Sequence, residues 1–496
     1  LQISVKLTFE SPPGLKKNLQ RTYESWDDEF IAKGSPERAQ LLYVLAFFHA
    51  LVQERRTYMP QGRVKFYEFS LGALRAGTNI IDLVSKGKSI DWESVIGLME
   101  NAIYGGRVDN NYDYKVLSVY LQQYFNADIL SPKRGGKAVE RGFVMPRPTN
   151  VKSEYVAMID SLPEEDIPSF FGLPLNVERS VQRAQSALVV SQLKALSLSS
   201  SSSSKFDREH WRVVLGPICS LWDKLVRSDK TVLEKPDLVV GGGAGRGGTA
   251  AEANDIKPIK QFIANESQFA YKLVSMVDQA IRNINRVLWE SGLLTPEIQS
   301  NAVFLLAGSV PLGWEKMWEG PEKPQAFLRS LIMKKISLSR WAKQFGNSGE
   351  VAGEELDLSE LFNPGTFLMA LRQQTSREGR MRMDSLKLRS SFGDDLNNSV
   401  MPVHLVGLML QGAAFSGKRL ESAEADAPEL VPISKCTIAF DDTSKDKSEG
   451  RSSRGLNIPV YFSTSRERLL TDVVVPVSGD PDDWIVGGVA LFLADE

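Results

Sequence analysis

Leu41–Arg75 reads LLYVLAFFHALVQERRTYMPQGRVKFYEFSLGALR. Its first half is apolar through Leu41, Leu42, Leu45, Phe48 and Leu51, and then turns abruptly charged at Glu54, Arg55 and Arg56. Just upstream, Ser35-Pro36-Glu37 supplies a hydroxyl cap, a proline at the first helical position and an early negative charge, so the spacing predicts a helix from there. Met59-Pro60-Gln61-Gly62 interrupts it, the aromatic residues Phe66, Tyr67 and Phe69 follow, and Ser70 opens a second helix to about Ser85, with Gly87 as its stop. Asp91 caps a third helix ending at Tyr104-Gly105-Gly106, and Tyr112–Phe125 gives a fourth. Helices on such short connections form a compact bundle.

Outward from this bundle the texture changes twice. On the N-terminal side, Gln2–Glu10 alternates strictly, with Ile3, Val5, Leu7 and Phe9 on one face, which is the pattern of a half-buried strand. Pro12-Pro13-Gly14 ends it and Leu15 to Trp26 begins a helix, so the strand must find its sheet neighbours elsewhere, as the last strand of a truncated α/β unit would. On the C-terminal side, residues 131–150 are rich in Gly, Pro and basic side chains and read as a linker. Long helices are expected at Val177–Leu198, Asp207–Arg227, Gln261–Glu290 and Ala326–Phe345, the second kinked or broken at Gly216-Pro217. After a helix at Phe367–Ser376 come β-rich stretches: Ser385–Leu388, Val403–Leu410, Cys436–Phe440, Ile458–Thr464, Thr471–Val477 and Trp484–Leu493. The fold class is α+β, mainly α, ending in a small β-barrel or sandwich. Ser197–Ser204 and Gly241–Gly248 read as solvated loops.

Composition excludes several classes. A formal net charge of −2 over 496 residues gives no global basic footprint for nucleic acid or an anionic membrane. No apolar run is long enough to cross a bilayer, so no membrane insertion is expected. Two cysteines, Cys219 and Cys436, make no disulfide framework and point to a reduced compartment. The start at Leu1, without a Met or a secretory leader, suggests a fragment.

The motifs that carry chemistry are sparse. Gly243-x-Gly245-x-x-Gly248 follows Leu238-Val239-Val240 and superficially matches a dinucleotide fingerprint. That chemistry needs a βαβ unit with the pyrophosphate on a helix N-terminus, whereas here Pro258 and a long helix follow. Nor is it a phosphate loop, because Gly248 stands where the lysine belongs. Of three histidines, His49 lies on the apolar helix as a core or interface residue, His210 in a polar helix start and His404 in a strand. The sequence holds no H-E-x-x-H, C-x-x-C or G-x-S-x-G, so no metal site or hydrolase triad is expected. Glu164-Glu165-Asp166 and Asp394-Asp395 read as solvated turn charges, and Trp314 with Trp318 as a packing anchor. No complete catalytic site is expected.

FFHALVQERR (Phe47–Arg56) with YEFSLGALR (Tyr67–Arg75), IYGGRVDN (Ile103–Asn110) and ELFNPGTFLMALRQQTSRE (Glu360–Glu378) resemble, in the same order, the dynein heavy-chain family. ESPPGLKKNLQRTYESW (Glu10–Trp26), WEGPEKPQAFLRSL (Trp318–Leu331), MDSLKL (Met383–Leu388) and IPVYFSTSRERLLTDVVVPV (Ile458–Val477) are similar to its cytoplasmic dynein 2 subfamily, the retrograde intraflagellar-transport motors. The resemblance implies that residues 1–30 finish the large subdomain of the sixth AAA+ module and 31–130 form its helical lid. Residues 131–150 would be a linker, 151–380 the helical part of the C-terminal domain and 381–496 its β-rich module. It further implies an ATP-driven, minus-end-directed microtubule motor, with ATP and Mg²⁺ held by upstream modules and no cofactor in this segment.

Partners implied by the family are the rest of the heavy chain, notably the first and fifth AAA+ modules. A second heavy chain and the intermediate and light chains would join through the upstream tail, microtubules through the upstream stalk, and intraflagellar-transport particles as cargo. The place implied is the cytoplasm and the cilium or flagellum, with its axoneme and basal body. Arg75, at the start of a lid helix, falls where the family often places an arginine near nucleotide phosphate, and Arg107 in YGGRVDN shares that expectation. For both, bracing the lid is the alternative. A free-standing helical scaffold or adaptor with a β-module is the competing class, and a nucleotide-dependent oxidoreductase would rest on the glycine loop alone. Truncation after Ser376 is expected to leave the upstream nucleotide sites complete.

Overall fold

The computed structural model describes residues 11–87, 90–130, 143–201, 206–236, 257–290, 292–393, 395–417, 419–424, 426–442 and 455–493. The expected strand Gln2–Glu10 and the loop Gly241–Gly248 lie outside these residues.

The N-terminal core is built around one helix. α1 (Leu15–Ser25) and α2 (Asp28–Ala32) lead into α3 (Pro36–Glu54), whose side chains are buried without interruption from Arg38 to Val52. A helix apolar on every side is stable only when surrounded. Ser35 caps it as expected, its hydroxyl accepting from the Arg38 amide at 3.3 Å. α4 (Leu71–Val84), α5 (Trp92–Leu98) and α6 (Asn111–Tyr124) complete the bundle, with the Asn110 side chain accepting from the Tyr112 and Asp113 amides at 2.9 and 3.2 Å.

Beyond the basic stretch the polypeptide returns to this same core. Phe143, Tyr155, Ile159, Phe171, Leu173 and Val177 all pack into it, bringing α7 (Lys152–Asp160) onto the first bundle. Phe143 lies edge-on to Phe47 at 4.8 Å and to Tyr124 at 5.4 Å. α8 (Val177–Ser201) then leaves the body. Its helix runs into the serine tract, because no Gly or Pro between Val177 and Ser201 stops it. Residues 202–204 of that tract lie outside the described set.

The second core joins α9 (Arg208–Ser228), α10 (Pro258–Trp289), α11 (Pro296–Leu306), α12 (Leu312–Glu315), α13 (Pro324–Phe345) and α14 (Pro364–Glu378) to the sheets. α9 does not break at Pro217. Its stripe of Trp211, Leu215, Ile218, Cys219 and Trp222 is buried in this core on both sides of the proline, and that packing outweighs one lost backbone hydrogen bond. Trp314 and Trp318 do anchor packing, with their rings 6.1 and 4.9 Å from Phe327.

The β-module has two main sheets. β1 (Glu355–Asp357), β2 (Leu386–Ser391), β3 (Val403–Val406) and β8 (Cys436–Asp442) form one, in the order β1-β3-β8-β2. β4 (Leu408–Gln411), β7 (Leu430–Pro432), β9 (Gly455–Tyr461), β10 (Leu469–Pro476) and β11 (Ala490–Leu493) form the other, in the order β10-β9-β11-β4-β7. A short ribbon pairs β5 (Ala414–Phe415) with β6 (Leu420–Glu421). The stretch Val403–Leu410, expected as one strand, is two strands in different sheets. Gly407 makes the corner: its φ is +76°, and a Cβ there would lie 2.6 Å from the Asp357 carboxylate. The expected strand Trp484–Leu493 is likewise two elements. Asp480 caps a helix, α15 (Pro481–Val486), with proline at its first position, and only Ala490–Leu493 is extended.

Candidate functional site

The charges that end α3 are the centre of a densely hydrogen-bonded site. Arg55 is 1% exposed. Its guanidinium donates to the carbonyl of Gly62, to the Tyr120 hydroxyl, to the Phe171 carbonyl at 2.6 Å and to the Val486 carbonyl at 2.5 Å. Phe171 ends the 3₁₀ turn Pro168–Phe171 and Val486 ends α15, so both carbonyls are helix-terminal groups with no intrahelical partner. A cation satisfies them and also complements the negative end of a helix dipole. The Tyr120 ring adds a cation–π contact 5.3 Å from the guanidinium.

The next two carbonyls of the same turn are also taken. Gln61 Nε2 donates to the Gly487 carbonyl at 3.1 Å, and Arg466 Nη2 donates to the Gly488 carbonyl and to Gln411 Oε1, both at 2.7 Å. Gly488 has a φ of +64°, and a Cβ there would collide with the Gln61 carbonyl, so backbone meets backbone at this point. Burial pulls Arg466 and Arg63, both of which sense Asp113 and Arg55, down to about 10, which leaves both cationic at neutral pH. Among the described residues, Arg55, Arg63 and Arg466 are held by carbonyls, amides and rings and form no ion pair. Tyr112, at the start of α6, extends the seam by donating to the Asp472 carboxylate on β10; burial foremost, and then this bond, raise its pKa.

A second joint fixes α1. Its capping position, Gly14, offers no side chain, and the Gly14 amide donates instead to Glu54 at 2.9 Å and the Leu15 amide to Asp166 at 2.9 Å. Glu54 also accepts from Asn18 at 3.0 Å. Two carboxylates at a helix N-terminus oppose its positive end. Asp166 is therefore not the solvated turn charge the sequence suggested; burial raises its pKa, and its oxygens hold the start of α1. Glu164 does face solvent, where it pairs with Lys16 at 2.6 Å.

The two arginines singled out from sequence lie apart from the seam. Arg75 is exposed on α4, and its guanidinium makes no hydrogen bond or ion pair with a described residue. Arg107 is exposed too, donating to the Glu68 carbonyl at 3.0 Å. No hydrogen bond joins one to the other among the described residues. His49 is a core residue: its Nδ1 lies 3.0 Å from the Tyr104 hydroxyl, and burial lowers its pKa to about 4. Among the described residues no group of three His, Cys, Asp or Glu side chains could hold a metal, and no helix is long and apolar enough to cross a membrane. What this arrangement offers is a mechanical joint. The sequence signal for it was the charged end of an apolar helix, but two of the acceptors, the Phe171 and Val486 carbonyls, lie 116 and 431 residues away.

Comparison with known proteins matches this division. A family model of the AAA lid domain of the dynein heavy chain matches residues 38–177, whose last residue, Val177, is buried in the N-terminal core, and one of the C-terminal domain of the dynein heavy chain matches residues 183–493. The protein is 41% identical over 502 residues to cytoplasmic dynein 2 heavy chain 1 of Tripneustes gratilla, with 100% of its own length and 11% of that protein covered. The corresponding protein of Homo sapiens is 42% identical over 505 residues, with 100% and 11% covered, and that of Chlamydomonas reinhardtii 40% over 511 residues, with 100% and 12% covered. The chain thus spans about a ninth of the length of the curated relatives it matches. With both domain models in series over one packed structure, the chain belongs to the dynein heavy-chain family and carries that family's AAA lid and C-terminal domains.

Proposed function

We propose that this segment closes and buttresses an AAA+ ring that drives ATP-dependent, minus-end-directed movement on microtubules, as retrograde intraflagellar transport in cilia. The observation that carries the reading is the unbroken similarity, over 100% of the chain, to heavy chains named cytoplasmic dynein 2. In this reading residues 1–30 finish the sixth AAA+ large subdomain, 31–130 form its lid and 151–496 the C-terminal domain. ATP and Mg²⁺ sit in upstream modules, and the segment supplies support rather than a catalytic site. Its direct partners are the rest of the heavy chain, chiefly the first and fifth AAA+ modules. The second heavy chain, accessory chains, microtubules and transport particles engage through upstream parts, in the cytoplasm and the cilium. Exposed Arg75 and Arg107 are the groups free to face a neighbouring module's nucleotide.

The test has two arms. Phosphoryl transfer needs a phosphate cradle, a metal-holding group and a positioned water in one place, so the isolated 496-residue segment should turn over no ATP above background. In the full-length heavy chain, Arg75→Ala should slow microtubule gliding severalfold while leaving the thermal unfolding midpoint unchanged, because the side chain is exposed. Steady ATP turnover by the isolated segment, abolished by R75A, would overturn the reading.

A further inference from the structure

We infer that residues 481–488, near the end of the chain, are a working part of the N-terminal helical core, and that Arg55 is the positioning residue that joins core and β-module into one rigid unit. The inference goes beyond the motor reading and stands without it. Val486 is fully buried in the N-terminal core, with Ile485 packed against that core, although both lie more than 300 residues downstream of its other members. Two glycines and Val489 then separate it from β11, the middle strand of the five-stranded sheet, which pairs with β4 on one side and β9 on the other. The polypeptide therefore passes from the centre of one unit to the centre of the other within a few residues.

Three donors hold that passage, two from the helical side and one from the β side: Arg55 on Val486, Gln61 on Gly487 and Arg466 on Gly488. Displacing the β-module would require one of two costly events. Either Val486 leaves its core and a buried guanidinium loses an acceptor, or β11 is torn from the middle of its sheet. The close approach of Gly488 to the Gln61 backbone leaves no slack for a hinge. Motion between the helical core and the β-module is thus blocked at this joint, and strain applied to either unit passes to the other.

Hydrogen exchange in the full-length heavy chain tests this from both sides of the seam. Arg55→Gln should speed amide exchange roughly tenfold or more in residues 36–62 and, equally, in 481–493, with α10 unaffected. Gly488→Ala, which drives a Cβ into the Gln61 carbonyl, should do the same and raise exchange at residues 55–62. Arg107→Gln, which loses only one exposed hydrogen bond, should change neither region. Should R55Q fail to fold, Gln61→Ala removes the bond to Gly487 and the packing of one buried side chain while leaving Arg55 in place, and should give a smaller rise on both sides. A rise confined to the mutated side in G488A and Q61A would show the units to be separable and sink the inference.

Discussion

At the scale of single residues, burial decides what each titratable group does. His49 is buried edge-on to the Tyr104 ring, and burial lowers its pKa from 6.5 to about 4. A folded-state pKa below the unfolded one means the unfolded protein binds the proton more readily. The stabilisation from a neutral His49 is therefore complete above pH 6.5 and is lost as pH falls through about 4. The whole effect is about 3 kcal/mol, since one pKa unit corresponds to about 1.4 kcal/mol. His49→Gln should be less stable at pH 7 yet should remove this pH dependence, so the difference in unfolding free energy between the two proteins shrinks on acidification. A constant difference between pH 7 and pH 4 would show that His49 is not buried in neutral form. Glu54, a buried acidic residue at the end of the same helix, should matter through hydrogen bonds. Glu54→Ala leaves the Gly14 amide without its acceptor and takes from Asn18 one acceptor besides the Pro12 and Gly14 carbonyls, and should cost about 2 kcal/mol in denaturant unfolding.

Elements in this protein end where local chemistry stops them, except where tertiary packing intervenes. Ser35-Pro36, Asp91 and Asn110 start helices as their side chains dictate. α9 continues through Pro217 because its apolar stripe is held in the second core on both sides. Gly407 shows the opposite case, where one residue reroutes the backbone between two sheets. Gly407→Ala must adopt a φ of +76° and displace Asp357, and should cost about 1–3 kcal/mol in thermal unfolding. An unchanged midpoint would mean that the corner relaxes freely.

On the scale of the whole molecule, the joint between core and β-module changes what truncation would do. Read from sequence alone, cutting after Ser376 is expected to leave the upstream nucleotide sites complete while changing stepping or force. In the structure the cut removes Val486 from the N-terminal core and takes an acceptor from a buried guanidinium. The truncated protein should therefore lose protection in α3 and α4, seen as faster limited proteolysis between residues 36 and 84, whereas Arg107→Gln should not. Intact protection of that region after truncation would contradict the coupling.

What the sequence determined by itself was everything carried by near neighbours along the polypeptide. The apolar run of α3 with its Ser-Pro-Glu start, the capped helices around it, the long helices of the second core and the alternating strands were legible, because helix and strand periods involve residues only two to four apart. The family was legible for a related reason, since the resemblance rests on contiguous stretches such as Phe47–Arg56 and Glu360–Glu378. Even α15 carried its signal in Asp480-Pro481, masked by the apolar residues that follow. Only the tertiary structure decided the return of residues 143–177 to the first core, the Gly407 corner, the role of Asp166 at α1 and the seating of Val486 beneath Arg55. A buried guanidinium or an uncapped helix end states what partner it needs but not where in the sequence that partner lies. Acceptors that are backbone carbonyls leave no mark in the sequence at all, since every residue carries one.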